Sequence, residues 1–263
     1  MIVDVHAHMD LEGYEMYGGA DKLIEECAAN DVNAIVCNGV NVVSNRKVLD
    51  ICSKHKICKA ALGIYPIHCL EMIEAGKQAE FDDEIRFVDD LLAKKKIIAI
   101  GEVGLDFKEV KDISDEQKNI QKKCLKTFLD LAVKHDVPLI LHSRGAELDL
   151  IEFLEQNGMK NKKVIMHCFS GRKHHIKRIK DNGWFFSIPC TILRTQHFQQ
   201  IVLDAPLENI LTETDSPYLS PTIGKTNRPD NIKYTIAKIA ELKGLTKVEV
   251  QNIIYNNYQR VFN

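Results

Sequence analysis

Three side chains that bind protons or metals, Asp4, His6 and His8, occupy every second position of the opening stretch MIVDVHAHMD. Side chains of a strand alternate between faces, so these three share one side of an otherwise apolar segment. A half-buried strand with hydrogen-bonded histidines explains that pattern. A pair of imidazoles gripping a divalent cation explains it as well, and an HxH motif alone does not choose between them. Similar groups recur at, or near the close of, later apolar runs. They are Glu102 in IIAIGEVGL, His142 closing PLILH, His167 in KVIMHC and Asp215 closing NILTETD. Four imidazoles and two carboxylates gathered at one place would repel or lose hydration without a partner. A divalent cation resolves this by accepting neutral imidazole nitrogen and carboxylate oxygen as ligands. Six donors exceed the three that a catalytic zinc commonly takes. Two ions sharing a bridging carboxylate fit the number better.

Such a gathering needs elements that carry distant residues to one rim. Short runs rich in Ile, Val, Leu and Phe recur at 2–8, 33–39, 58–64, 97–105, 138–142, 163–168, 184–188 and 209–215. Their near-continuous apolar character suits strands buried on both faces of a parallel sheet. Segments of helical period lie between them, for example 19–31, 116–136 and 175–183, with Asn30, Asp136 and Gly183 as stops. Two further helices are expected near 231–242 and 246–259, after an irregular stretch that follows Asp215. Eight strands alternating with helices predict an α/β chain folded as a (β/α)8 TIM barrel. Its binuclear metal site would lie where the C-terminal strand ends converge. An open doubly wound sheet is the rival; no glycine-rich phosphate loop of its usual kinds is present. Residues 1–263 read as one domain, with the last helices belonging to the barrel.

The bulk composition is that of an ordinary globular protein, 45% hydrophobic and 27% charged. A formal charge of −2 offers no global field for nucleic acid, so any such contact must be local. Eight cysteines without a CxxC pair suggest reduced thiols. The opening residues lack the pattern of a secretory leader, and no apolar run reaches the ~20 residues of a membrane span. A cytoplasmic protein without an obligatory protein partner is therefore expected.

The stretches IVDVHAHMD, PLILHSRGAE and NILTETDSPYL, with GEVGLDF, MHCFSG and NNYQRVF, resemble the TatD family of metal-dependent deoxyribonucleases, part of the wider amidohydrolase superfamily. The resemblance spans nearly the whole chain. It implies a TIM barrel with two divalent ions and hydrolysis of phosphodiester bonds. Carried over residue by residue, it assigns His6, His8 and Asp215 to one ion and His142 and His167 to the other. Glu102 would bridge them, and Asp215 would also accept the proton of the attacking water. The chain departs from the family after the third strand. A histidine-bearing GxHPH-like motif that contacts substrate phosphate is replaced by GIYPIH, with Tyr65 at the histidine position and His68 displaced. Arg228 and Pro229 resemble a late loop that shapes the pocket.

Several residues around this set have two readings. Arg144 is a phosphate clamp or the partner of a nearby acid. Ser170 and Gly171 offer N–H groups to a phosphate, or Ser170 caps the next helix, which is the preferred reading. The basic run RKHHIKRIK (172–180) guides a nucleic-acid strand or, more commonly for such runs, forms a solvated helix face. Tyr65, Tyr218 and Phe107 stack on bases or simply pack. Asp4 is expected to orient a ligand from behind, and Cys168 to turn into the core by strand alternation.

The expected function is a deoxyribonuclease acting on single-stranded or short DNA, using two divalent ions of undetermined identity (Zn, Mg, Mn or Ni). Its expected partner is that nucleic-acid substrate, contacted by Arg144, Tyr65 and His68. The alternative keeps the ions and changes the bond: an amide or ester hydrolase such as a D-aminoacyl-tRNA deacylase. A non-catalytic binding protein on the same scaffold is the third reading.

Overall fold

The computed structural model describes all 263 residues. Eight strands form one sheet in which chain order equals spatial order and every hydrogen-bonded pair is parallel. The strands are β1 Ile2–Ala7, β2 Val32–Asn38, β3 Cys58–Leu62, β4 Ala99–Asp106, β5 Leu139–Arg144, β6 Val164–His167, β7 Phe185–Ile188 and β8 Ile210–Thr212. The helices are α1 Ala20–Ala29, α2 Val42–Lys54, α3 Pro66–Glu74, α4 Gln78–Ala93, α5 Asp115–His135, α6 Glu147–Gln156, α7 Lys173–Asp181, α8 Gln196–Asp204, α9 Ile232–Lys243 and α10 Lys247–Phe262. This is a (β/α)8 barrel. Two helices, α3 and α4, fill the crossover between β3 and β4, and two more follow β8.

The strands are buried on both faces, as their unbroken apolar runs require: β1, β4, β6 and β7 have no exposed residue. The ring closes between β1 and the segment after β8. Thr212 Oγ1 donates to the Val3 carbonyl at 2.8 Å, the Asp215 N–H to His6 at 2.9 Å, and the His8 N–H to Ser216 at 2.8 Å. No helix is long and apolar enough to cross a membrane.

Local sequence explains several boundaries. Ser114 caps α5 in a reciprocal box with Gln117, and Thr246 does the same for α10 with Glu249. Helix α5 stops at Asp136, which takes a left-handed conformation at φ 52°. Asn30 closes α1 as expected, and Gly183 lies just past the Asn182 cap of α7. The expected strand ends need correction. β8 stops at Thr212, so Asp215 lies beyond it, in a left-handed turn at φ 55°. β4 runs on to Asp106, which places Glu102 in mid-strand. His142 is likewise inside β5, which extends to Arg144.

Glycine matters most on β4. At Gly104, with φ 147°, an added Cβ would stand 2.0 Å from the His142 carbonyl oxygen. At Gly101 it would meet Asn38 Oδ1 at 2.7 Å and Ile140 Cβ at 2.8 Å. Their lack of side chains lets β4 lie close against its neighbours, which brings Glu102 beside His142.

Candidate metal centre

The barrel brings His6, His8, Glu102, His142, His167 and Asp215 to one rim, where a cavity of about 590 Å³ opens above them. Their donor atoms fall into overlapping groups: His6, His8 and Glu102; His6, His167 and Asp215; and Glu102, His142 and His167. In each group the donor atoms lie within 4.8 Å of one another.

The tightest part is a cage of four atoms. His6 Nε2 and His8 Nε2 face each other at 3.1 Å. Glu102 Oε2 lies 3.6 Å from the first and 3.3 Å from the second. Asp215 Oδ1 stands at 3.5 and 3.3 Å from the same two nitrogens. Four ligands placed tetrahedrally about 2.0–2.1 Å from a zinc-sized ion stand about 3.3–3.4 Å apart, so the cage has the dimensions a cation needs. Its chemistry agrees. His8 Nδ1 donates to the Asn38 carbonyl at 3.0 Å, which leaves the Nε2 lone pair of the neutral ring aimed into the cage.

Glu102 faces both sides of the rim. Its Oε2 belongs to the cage, while Oε1 meets His142 Nδ1 at 2.9 Å. The other nitrogen of His142, Nε2, lies 3.0 Å from Asp106 Oδ2. His167 Nδ1 donates to Glu213 Oε2 at 2.7 Å, leaving its Nε2 for the site. The His6 and His167 rings stack with centroids 3.7 Å apart. His6 Nδ1 is buried without a hydrogen-bond partner.

Electrostatics follow from this crowding. Burial alone would lower the histidine pKa values. Hydrogen bonds with Asp215 and Glu102 outweigh it at His6, which is carried up to about 9. Hydrogen bonds with Asp106 and Glu102 do the same for His142, also to about 9. His8 is raised by the same two carboxylates that act on His6, but only one proton fits between the facing Nε2 atoms. Burial would raise Glu102, Asp106 and Asp215, yet their histidine partners hold all three below the usual carboxylate range. A cation bound among these residues would compete with the protons their histidines favour.

Tyr65 stands at the cavity wall. Its hydroxyl is 2.8 Å from Asp106 Oδ2, 2.9 Å from Glu109 Oε2 and 3.4 Å from His142 Nε2. Its one proton serves one carboxylate at a time. Arg144 Nη1 is 3.7 Å from Glu109 and 4.0 Å from Asp106, with the side chain 53% exposed. So loose and solvated a pair leaves the guanidinium free to turn toward a cavity ligand. His68, on α3, borders the cavity with its Nδ1 donating to the Val40 carbonyl at 2.8 Å. Tyr218 also lines it, its ring edge-on to His8.

The structure also places the remaining candidates. Asp4 does not touch a ring: it accepts from the backbone N–H groups of His6 and Thr214 and from the Thr214 hydroxyl, tying β1 to the segment after β8. Ser170 does not cap α7, whose N-cap position is Arg172; its hydroxyl donates to Glu147 at 2.7 Å. Cys168 packs against the core as expected, though not by strand alternation, because β6 ends at His167 and Cys168 has φ 41°. Its N–H donates to Glu213 Oε1 at 3.0 Å. In the basic run, Arg178 pairs with Glu155, Lys177 with Asp181 and Lys173 with Asp204, as on a solvated face. Phe107 lies under the ammonium groups of Lys118 and Lys122 rather than in the cavity. Arg228 binds Asp230 and Glu26, securing its loop to α1.

Asp106 and Glu213 did not emerge from the sequence as site residues. The signal was partial: Asp106 closes a buried apolar run and Glu213 follows one between two buried threonines, both costly placements unless paired. The partner was not readable, because each histidine lies 36 or 46 residues away in the chain.

The family model described as "TatD related DNase" matches residues 3–263. The chain is 30% identical to the metal-dependent hydrolase YabD of Bacillus subtilis, over 100% of this chain and 99% of that protein. It is 30% identical to the human deoxyribonuclease TATDN3, over 99% and 94% of the two chains. The crystal structure of the TatD homologue YjjV from Escherichia coli superposes with a TM-score of 0.85 at 26% identity, covering 100% and 98%.

Proposed function

The chain belongs to the TatD-related DNase family of metal-dependent hydrolases, and from that premise we propose that it cleaves phosphodiester bonds in single-stranded or short DNA. The observation that carries the reading is Glu102. One of its oxygens faces the His6–His8–Asp215 cage and the other faces His142, as a carboxylate shared by two cations would.

In this reading His6, His8 and Asp215 would hold one divalent ion, His142 and His167 would hold the second, and Glu102 would serve both. Cations bound there would lower the pKa of a water and offset charge on the phosphoryl oxygens. Asp215 keeps 15% of its side chain open to the cavity, where it accepts the proton of the attacking water. Asp106 and Glu213 hold the rings of His142 and His167 so that one nitrogen of each points inward. Arg144 takes a non-bridging phosphate oxygen, with Tyr65 and His68 bounding the substrate on the α3 side.

The test is a substrate panel. The protein is stripped with a chelator, and Zn, Mn, Mg or Ni is restored singly. Labelled single-stranded DNA is assayed beside a D-aminoacyl ester. We expect DNA hydrolysis to return with at least one cation. Cleavage of the aminoacyl ester but not of DNA would move the assignment to a carbonyl substrate. No hydrolysis of either under any cation would leave a binding protein.

A further inference from the structure

A second cavity of about 500 Å³ lies between α2 and α3, beside the loop after β1. Leu11, Val40, Asn41 and His68 border both this groove and the metal cavity, so the two adjoin along a shared wall. Its volume falls within the roughly 300–1,000 Å³ of small-molecule sites.

The groove's chemistry is uneven. Leu11, Val43 and Met72 form an apolar wall, and Val43 is 65% exposed. The acids are Asp10, Glu71 and Glu80. Asp10 accepts from the Ser44 hydroxyl at 2.6 Å, and Glu80 lies 3.6 Å from Lys77. These carboxylates make the floor unsuitable for a phosphate. They leave it suitable for a flat apolar body that carries hydrogen-bond donors. Lys47 differs: it sits one helical turn beyond Val43 on the same face of α2, is exposed and forms no ion pair.

We infer that this groove is a nucleoside subsite, which receives the nucleoside next to the scissile phosphate. The base packs on the wall of Leu11, Val43 and Met72, with its amino groups toward the acids. The following phosphate reaches Lys47. The inference rests on the phosphodiester reading for its orientation, since the groove adjoins the proposed metal cavity across Leu11, Val40, Asn41 and His68. Base packing on a side-chain platform and one phosphate contact are each sufficient to move affinity severalfold.

Full-length protein loaded with its cation is titrated with a fluorescein-labelled DNA hexamer whose phosphorothioate linkages slow cleavage, and binding is read by anisotropy. Val43→Asp and Lys47→Glu should each weaken binding about tenfold. Lys47→Arg should keep it. Lys123→Glu, the same charge change on the outer face of α5, sets the effect of net charge alone. Val43 and Lys47 are exposed, so these changes spare the core. If the two groove variants bind no more weakly than Lys123→Glu, or if the wild type does not bind the hexamer, the subsite is wrong. Hydrolysis of the unmodified DNA hexamer by the wild type is measured separately. Its failure, with the hexamer still discriminating the groove variants, would remove the phosphodiesterase reading and leave the subsite standing.

Discussion

On the β5–β6 side of the rim, each imidazole turns its far nitrogen toward a buried carboxylate: His142 to Asp106 and His167 to Glu213. On the β1 side, His8 is tied to a backbone carbonyl and His6 Nδ1 has no partner. A carboxylate behind an imidazole fixes the tautomer and raises ligand basicity. A carbonyl fixes the tautomer with little charge behind it. The two halves of the site are therefore unequal before any cation binds. The β5–β6 half is adjustable through side chains. The β1 half is built into the barrel's closure, because the backbones of His6 and His8 are bonded to Asp215 and Ser216.

The most drastic way to break this contrast is at the residue both halves share. Glu102→Ala should reduce DNA hydrolysis by roughly 10³-fold or more while thermal melting and circular dichroism still report a folded barrel. Near-normal turnover in such a protein would end the shared-carboxylate account.

Next come the two carboxylates behind the rings. Asp106→Asn and Glu213→Gln should each cost about 10–100-fold in metal affinity or activity. The two losses should be comparable, since Glu213 also accepts from the Cys168 N–H and the Ser187 hydroxyl, and Asp106 from the Lys108 and Glu109 N–H groups and the Tyr65 hydroxyl. Cation titrations monitored by activity and by calorimetry would rank them. Equal affinity in wild type and both variants would show that the asymmetry has no effect on binding.

A pH series sharpens the same contrast. His142 is carried to about 9 by Asp106 and Glu102 in the metal-free protein. That contribution to stability is fully present below about pH 6.5, the ordinary histidine value, and is lost as pH rises through about 9. The depressed Glu102 and Asp106 act oppositely: their contribution is present above the ordinary carboxylate value of about 4 and is lost as pH falls. Melting temperatures of chelator-treated protein should peak between about pH 5 and 6.5 and decline toward pH 9. Asp106→Asn should flatten that alkaline decline. An unchanged decline would detach it from the β5 side.

The smallest effect is expected at Tyr65, whose hydroxyl supports Asp106 from the cavity side. Tyr65→Phe removes one of several donors around that carboxylate, since the N–H groups of Lys108 and Glu109 remain. Activity should fall by less than about tenfold, with the metal affinity nearly preserved. A loss as large as that of Asp106→Asn would instead assign the hydroxyl itself, rather than the ring, to the substrate.

Much of this site was legible in the chain because burial writes itself into strands. A run such as IVDVHAH has apolar residues dense enough to predict a strand, and its period of two puts His6 and His8 on one side. Glu102, His142 and His167 stand out similarly, as ionisable groups in runs that otherwise avoid charge. The repeated strand–helix rhythm was sufficient to predict the barrel, and the barrel's geometry brings C-terminal strand ends to one rim.

What the chain alone could not determine depends on register and on the backbone beyond strand ends. Cys168 packs against the core as alternation suggested, but a left-handed backbone puts it there and turns its N–H onto Glu213, which alternation could not show. Ser170 has the composition of a helix cap, yet it lies two residues before the N-cap position and finds Glu147 instead. The pairing of β4 with β5, Asp106 opposite Arg144, sets Asp106 beside His142, and no local pattern encodes a contact across 36 residues. Residue type and period determined which groups could bind a cation and that a barrel would collect them. Tertiary packing decided which carboxylate stands behind which ring, because that choice is made between strands and never within one.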